Sequence, residues 1–289
     1  MNKFQPFSLN IRGELHRFDR PAIMGIVNVT PDSFFQGSRT NESDAIARRV
    51  SRMIADGADI IDIGGYSSRP GASDVAPDEE LRRLEKGLSI IRKIDSSIPV
   101  SVDTFRARVA ETAITQLGAD IINDISGGDL DNSMFETVAR LKAPYILMHM
   151  RGTPETMQSL TDYTDVTLAV GADLSEKLSR LEALGVCDTI VAPGLGFGKT
   201  VDQNYRLRSA LPHLTELLRR PVLIGLSRKS MLTRPLSITP ADALAATVAA
   251  NTIALTKGAS ILRVHDVAEA CQTRTIHNLT HTPSLAASL

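Results

Sequence analysis

The chain has 289 residues, 43% of them apolar and 22% charged, and its 32 Lys and Arg against 33 Asp and Glu leave a net charge of −1. That length suits one α/β barrel of roughly 250 residues, the composition excludes a disordered chain, and the balanced charge excludes a global basic field for nucleic acid. No run approaches the ~18 unbroken apolar residues of a membrane span, and the charged N-terminal stretch lacks the apolar segment of a secretory signal, so a cytoplasmic protein that binds neither nucleic acid nor membrane is expected.

In chain order, SLNIRGELHRF alternates around Gly13 and predicts a β-hairpin that plugs the bottom of such a barrel. Eight short apolar runs then alternate with helical stretches: Ala22–Val29, Ile60–Ile63, Pro99–Val102, Asp120–Ile122, Pro144–Met148, Thr189–Val191, Pro221–Leu226 and Ser260–Val264. Continuous apolar runs mark parallel strands buried on both faces. Between them, Pro77 with Asp78, Glu79 and Glu80 opens a helix, since its first turn favours proline and negative charge. Leu81, Leu84, Leu88 and Ile91 then fall on one face. Thr239-Pro240 is expected to open an Ala-rich helix that Gly258 ends, its small residues suited to close packing on its own barrel or on a second subunit. Gly57-Ala58-Asp59, Gly118-Ala119-Asp120 and Gly258-Ala259-Ser260 read as a structural repeat at helix ends. Cys187 and Cys271 lack metal-ligand spacing and are expected as buried, reduced thiols.

Eight βα units predict a (β/α)8 TIM barrel with a short N-terminal extension: one domain over 1–289, with the barrel at about 22–280. In this fold chemistry gathers in the loops after the strands, so the strand tips are where to look. The last two tips carry Ser227, Arg228, Lys229, Arg263 and His265, an arrangement suited to phosphate; the alternative is that Arg228 or Arg263 is a salt-bridging surface cation. Ser68 and Arg69, after the second strand, add hydroxyl and guanidinium donors able to hold a diphosphate, or else form a solvated surface loop. Asp103 and Asn123 end neighbouring strands and offer acceptors and donors to a flat heterocycle, unless they satisfy each other. Gly194, Gly196 and Gly198 do not meet the spacing of a nucleotide-binding phosphate loop, and Phe197 and Lys199 among them either line a pocket for an aromatic acid or pack and solvate the loop. His149 stands without HExxH or a nucleophile elbow, which argues against hydrolysis and a permanent zinc site.

Together the tips resemble dihydropteroate synthase, a family of folate-pathway transferases. The resemblance rests on GIVNVTPDSF (25–34), DIGGYSSRPGA (62–72), SVDTF (101–105), NDISGG (123–128), MHMRGTPETMQ (148–158), PGLGFGKT (193–200), SRKSM (227–231) and RVHDV (263–267). It implies that the amine of 4-aminobenzoate displaces pyrophosphate from 6-hydroxymethyl-7,8-dihydropterin diphosphate. It further implies that Asn28 ligands a Mg2+ on the diphosphate, that Ser68, Arg69, Arg263 and His265 hold the diphosphate, and that Asp103, Asn123, Met148 and Lys229 recognise the pterin. Phe197 and Ser227 would form the aminobenzoate pocket, and Lys229, Arg263 and His265 would carry the catalysis, by leaving-group stabilisation. Loops Thr30–Arg39 and Tyr66–Ala72 would close over the site. Members are generally homodimers and sulfonamide targets. Three positions depart from the pattern: Ala192 where an aspartate binds the pterin, Gln36 for aspartate and Tyr66 for glutamate. Ala192 raises the alternative of a weakened or inactive pterin-binding homologue.

Overall fold

The computed structural model describes residues 4–30, 39–66 and 75–281. Ser68, Arg69, Gln36 and most of the two closing loops lie outside the described residues.

Strands β1 (Phe7–Ile11) and β2 (Glu14–Phe18) pair antiparallel as the expected hairpin. The eight predicted runs are all strands: β3 (Ala22–Asn28), β4 (Ile60–Gly64), β5 (Val100–Asp103), β6 (Ile121–Asp124), β7 (Tyr145–Met148), β8 (Thr189–Ala192), β9 (Leu223–Ile224) and β10 (Ile261–Val264). They pair in parallel in the order β8-β7-β6-β5-β4-β3-β10-β9, and a bridge between Val191 and Val222 joins β8 to β9 and closes the barrel. Helices α1 (Arg39–Ala55), α2 (Pro77–Ile94), α3 (Ala107–Thr115), α4 (Met134–Leu141), α5 (Val166–Ala183), α6 (Val201–Ser209), α7 (Leu211–Leu218), α8 (Ser230–Leu236), α9 (Leu244–Thr256) and α10 (Val267–His281) surround it.

Two apolar layers follow from the strand alternation. Ile23, Val27, Ile61 and Val102 face outward and pack with Leu84, Leu88 and Ile91 of α2 and their counterparts on other helices. Met24, Ile60, Ile121, Ile146 and Ile190 face inward, and Leu9, Ile11 and Phe18 of the hairpin join them, so the hairpin plugs the barrel floor. Arg12, in the hairpin turn, ties it down by pairing with Asp120 at 2.6 Å.

The Gly-Ala-Asp repeats have a common structural use. Their glycines take φ values of 94° at Gly57 and 77° at Gly118, and Gly258 reaches 100°. Each aspartate then accepts an amide near the start of a neighbouring strand, Asp59 from Ile23 and Asp120 from Val100, both at 2.8 Å. Arginines neutralise both: Arg20 and Arg274 at Asp59, Arg12 and Arg92 at Asp120.

Two expectations need correction. The Ala-rich helix starts at Leu244, not at Pro240. Thr239 gives its hydroxyl to the Asp242 carboxylate at 2.6 Å rather than capping backbone amides, and residues 239–243 form turns. Cys187 is exposed, because it precedes β8 at the barrel floor, and Cys271 is half-buried with its Sγ on the carbonyl of Gly57. Among the described residues, no helix is long and apolar enough to cross a membrane.

Candidate active site

Parallel pairing places the strand tips on one rim in a fixed register. Asn28 is level with Gly64, Gly64 with Asp103, and Asp103 with Asn123, so four successive strands from β3 to β6 end in one ring. Gly64 leaves this ring open: a Cβ there would stand 3.5 Å from the Cβ of Asp103 and 3.9 Å from Oδ1 of Asn28.

Two residues deeper in β4, Asp62 is fully buried. An ionised carboxylate in an apolar barrel is stable only when paired. Arg263 of β10 donates Nε to Asp62 Oδ2 at 2.6 Å and Nη2 to Asp103 Oδ2 at 2.6 Å, while the Asn123 carboxamide donates to both Asp62 oxygens at 3.2 and 3.3 Å. Asp103 and Asn123 therefore do not satisfy each other; each is oriented through the Asp62–Arg263 pair. Burial works against the Arg263 charge, but Asp62 and Asp103 outweigh it and hold its pKa above the ordinary arginine value. Burial, with Asp62, Glu80 and Asp124, pushes the Asp103 carboxyl upward against the pull of Arg263.

Over this network lies a small cavity that opens to solvent, lined by Asn123, Ile125, Met148, Ala192, Pro193, Gly194, Leu195, Phe197, Leu223, Ile224, Gly225, Lys229 and Arg263. Met148 and Ala192 face each other across the β7–β8 pair. Lys229 donates its ammonium to the Leu195 carbonyl at 2.7 Å and sits 4.4 Å above the centroid of the Phe197 ring, a cation–π contact. Burial, and then Arg263, lower the Lys229 pKa to about 7, with Asp103 opposing.

Of the predicted residues, Asn123, Met148, Phe197, Lys229 and Arg263 line the cavity. Asp103 stands directly behind Arg263, and Asn28 ends β3 at the same level as Asp103. Ser227 and His265 are on the neighbouring tips of β9 and β10, joined by the His265 amide donating to Ser227 Oγ at 3.3 Å. The two arginines of the last tips divide. Arg263 turns into the barrel, whereas Arg228 forms a bidentate pair with Asp266 at 2.9 Å and donates to the carbonyls of Pro240 and Ala241, a structural salt bridge. Tyr66 stacks edge-on against Phe105 with centroids 5.1 Å apart, and the Arg106 guanidinium lies over both rings.

Asp62 is the site residue that motif reading passed over. Its signal was present, as a lone carboxylate inside the apolar run IIDIG, where a charge must have a buried partner. Among the described residues, no three His, Cys, Asp or Glu side chains converge as a metal site. Asn28 offers one carboxamide oxygen beside the gap left by Gly64. That donor suits a Mg2+ whose remaining ligands are phosphate oxygens and water, the usual state of a hard, reluctantly dehydrated ion.

Residues 24–265 match the pterin binding enzyme family. The dihydropteroate synthase of Synechocystis is 43% identical over 251 residues, which is 86% of each chain. The chain belongs to the dihydropteroate synthase family. Among solved structures, Xanthomonas albilineans dihydropteroate synthase with 4-aminobenzoic acid superposes with a TM-score of 0.88 at 37% identity, covering 95% of this chain and 98% of that one. The same enzyme in complex with 7,8-dihydropteroate gives a TM-score of 0.85 at 35% identity, covering 95% and 99%. Of the positions read from the sequence as departures from the family's pattern, Ala192 lines the cavity, while Tyr66 stands in its aromatic stack.

Proposed function

We propose that the protein condenses 6-hydroxymethyl-7,8-dihydropterin diphosphate with 4-aminobenzoate to 7,8-dihydropteroate and pyrophosphate, acting in the cytoplasm. The observation that carries this reading is the Asp62–Arg263–Asp103 bridge beneath a cavity that also holds Asn123, Met148, Lys229 and Phe197.

The pterin ring lies against Met148, with Asn123 and Asp103 meeting its polar edge and Lys229 its carbonyl side. Arg263 and His265, with Ser68 and Arg69 from the loop after β4, hold the diphosphate. Charge that builds on the departing pyrophosphate meets fixed cations, which stabilise the transition state more than the ground state. The aniline nitrogen is already nucleophilic, so no strong base is required. Phe197 and Ser227 border the place of the aminobenzoate. Asn28 would hold a Mg2+ on the diphosphate, where the ion would supply further charge neutralisation.

Ala192 cannot accept a hydrogen bond from the pterin, and loss of one charge-assisted partner costs on the order of 1.5–3 kcal/mol. The reaction is weakened at the binding step and not abolished, because the diphosphate-binding cations are present. Homodimerisation belongs to the same reading, with Leu236 and Ile253 as exposed apolar residues on α8 and α9. Sedimentation that finds only monomer excludes it.

The test is product identification. With both substrates and Mg2+, mass spectrometry is expected to find 7,8-dihydropteroate in equal amount to released pyrophosphate; pyrophosphate without dihydropteroate would make the protein a hydrolase instead.

A further inference from the structure

Lys199 does not line the cavity, yet it is almost fully buried behind the wall, in the loop between β8 and α6. Its ammonium donates to the carbonyls of Gly194 and Phe197, each at 3.0 Å, and meets Nδ1 of His149 at 3.1 Å. Three N–H donors meet three acceptors. His149 is held in turn by its own amide, which donates to the Ala192 carbonyl at 3.0 Å. Burial and the nearby cations Lys199, Lys177 and Arg151 drive the His149 pKa down to about 2, so the ring is neutral and its Nδ1 free to accept.

This geometry determines what the loop shows to the cavity. With the carbonyls of Gly194 and Phe197 drawn inward to Lys199, the intervening Leu195 carbonyl is left to receive Lys229, and the Phe197 ring lies under the same ammonium. The loop backbone also lies directly on the tip of β7: a Cβ on Gly194 would come within 1.9 Å of the His149 carbonyl oxygen. Asn204 adds a second tie, accepting from the Gly196 amide at 2.6 Å.

We propose that Lys199, seated on His149, is a positioning residue for the reaction: it staples the 194–198 loop to the tip of β7 and so sets the Phe197 ring and the carbonyl that anchors Lys229. A lysine suits this role because one compact ammonium serves three converging acceptors, which a planar guanidinium cannot. Its kinetic consequence rests on the dihydropteroate synthase reading of the site.

Lys199→Met, His149→Leu and His149→Asn separate positioning from general stability, because the Asn carboxamide can place an acceptor where Nδ1 stood. Lys199→Met and His149→Leu are expected to raise the KM for 4-aminobenzoate by about tenfold with a smaller change in kcat, whereas His149→Asn stays within about threefold of the parent. Amide hydrogen exchange of residues 194–198 is expected to quicken in the first two variants while the strands remain protected. Unchanged KM and exchange in Lys199→Met, or exchange that quickens equally throughout the barrel, overturns the proposal. Should the parent protein make no dihydropteroate, the functional reading fails, while the exchange comparison still decides whether the staple exists.

Discussion

Arg263 Nη2 lies 2.6 Å from Asp103 Oδ2, linking β10 to β5 across the two strands between them. Because the same guanidinium also holds the buried Asp62, one cation is shared between two carboxylates, and Asp62 in turn accepts from the Asn123 carboxamide.

Removing that guanidinium should therefore damage the fold as well as the site. Arg263→Met leaves the fully buried Asp62 and the partly exposed Asp103 without their cation, and breaking a buried pair such as Arg263–Asp62 costs about 3–5 kcal/mol. Urea unfolding is expected to show this loss, and Asp62→Asn in the Arg263→Met background is expected to recover part of it. If the single variant is as stable as the parent, the bridge is not holding the barrel mouth together.

Lys229 should impose a pH dependence on substrate capture. Its pKa lies at about 7, lowered by burial and Arg263 and raised by Asp103, so its positive charge is lost as pH rises through neutrality. The kcat/KM for the pterin diphosphate, which reports the free enzyme, is expected to fall above about pH 7. Lys229→Arg stays charged throughout this range and should lose that decline, even though its rate is lower. A decline that persists unchanged in Lys229→Arg assigns it to another group.

His149 should make the protein acid-sensitive. Its pKa falls from the ordinary 6.5 to about 2 on folding, through burial and then Lys199, Lys177 and Arg151. Below about pH 6.5 the unfolded chain takes up a proton that the folded chain refuses, so stability is fully present above that pH and drains away as pH falls toward 2. Between about pH 6.5 and pH 5 the loss should reach about 1–2 kcal/mol. Chemical denaturation of His149→Asn over the same interval is expected to lack this component; an equal slope in both proteins refutes it.

Gly194 should be irreplaceable in a way that Gly185 is not. Both have positive φ, 70° and 82°, but a Cβ at Gly185 meets nothing within 4 Å while one at Gly194 strikes the His149 carbonyl. Gly185→Ala is expected to lose only the backbone term of about 1–2 kcal/mol. Gly194→Ala should lose more in urea unfolding, together with most of the activity; equal losses in the two variants contradict the close approach of loop and strand.

The strands and their tips were legible in the sequence because a buried parallel strand carries a continuous apolar run, and the barrel then dictates that the tips share one rim. IIDIG and PVLIGLS needed no partner to be read as strands. The pairing inside the mouth was not legible, since it depends on which of several cations turns inward. Arg228 and Arg263 look alike in sequence, and only the position of Asp266 beside Arg228 and of Asp62 across from Arg263 separates them. Lys199 was read as a loop cation that either lines a pocket or meets solvent; its acceptors come from a strand 50 residues away and from carbonyls that only the folded loop brings together. The start of α9 was misplaced because Thr239 found a side-chain partner in Asp242 instead of backbone amides.

The most direct test of the account is the initial rate of pyrophosphate release from 6-hydroxymethyl-7,8-dihydropterin diphosphate with 4-aminobenzoate and Mg2+, measured for the parent chain beside Ala192→Asp. Ala192 lines the same cavity as Asn123 and is paired with Met148 on the neighbouring strand. Both proteins are expected to turn over, with the variant lowering the pterin KM by about tenfold or more through an added charge-assisted contact. Absence of pyrophosphate release from either protein would contradict the assignment of this barrel mouth as a dihydropteroate synthase site.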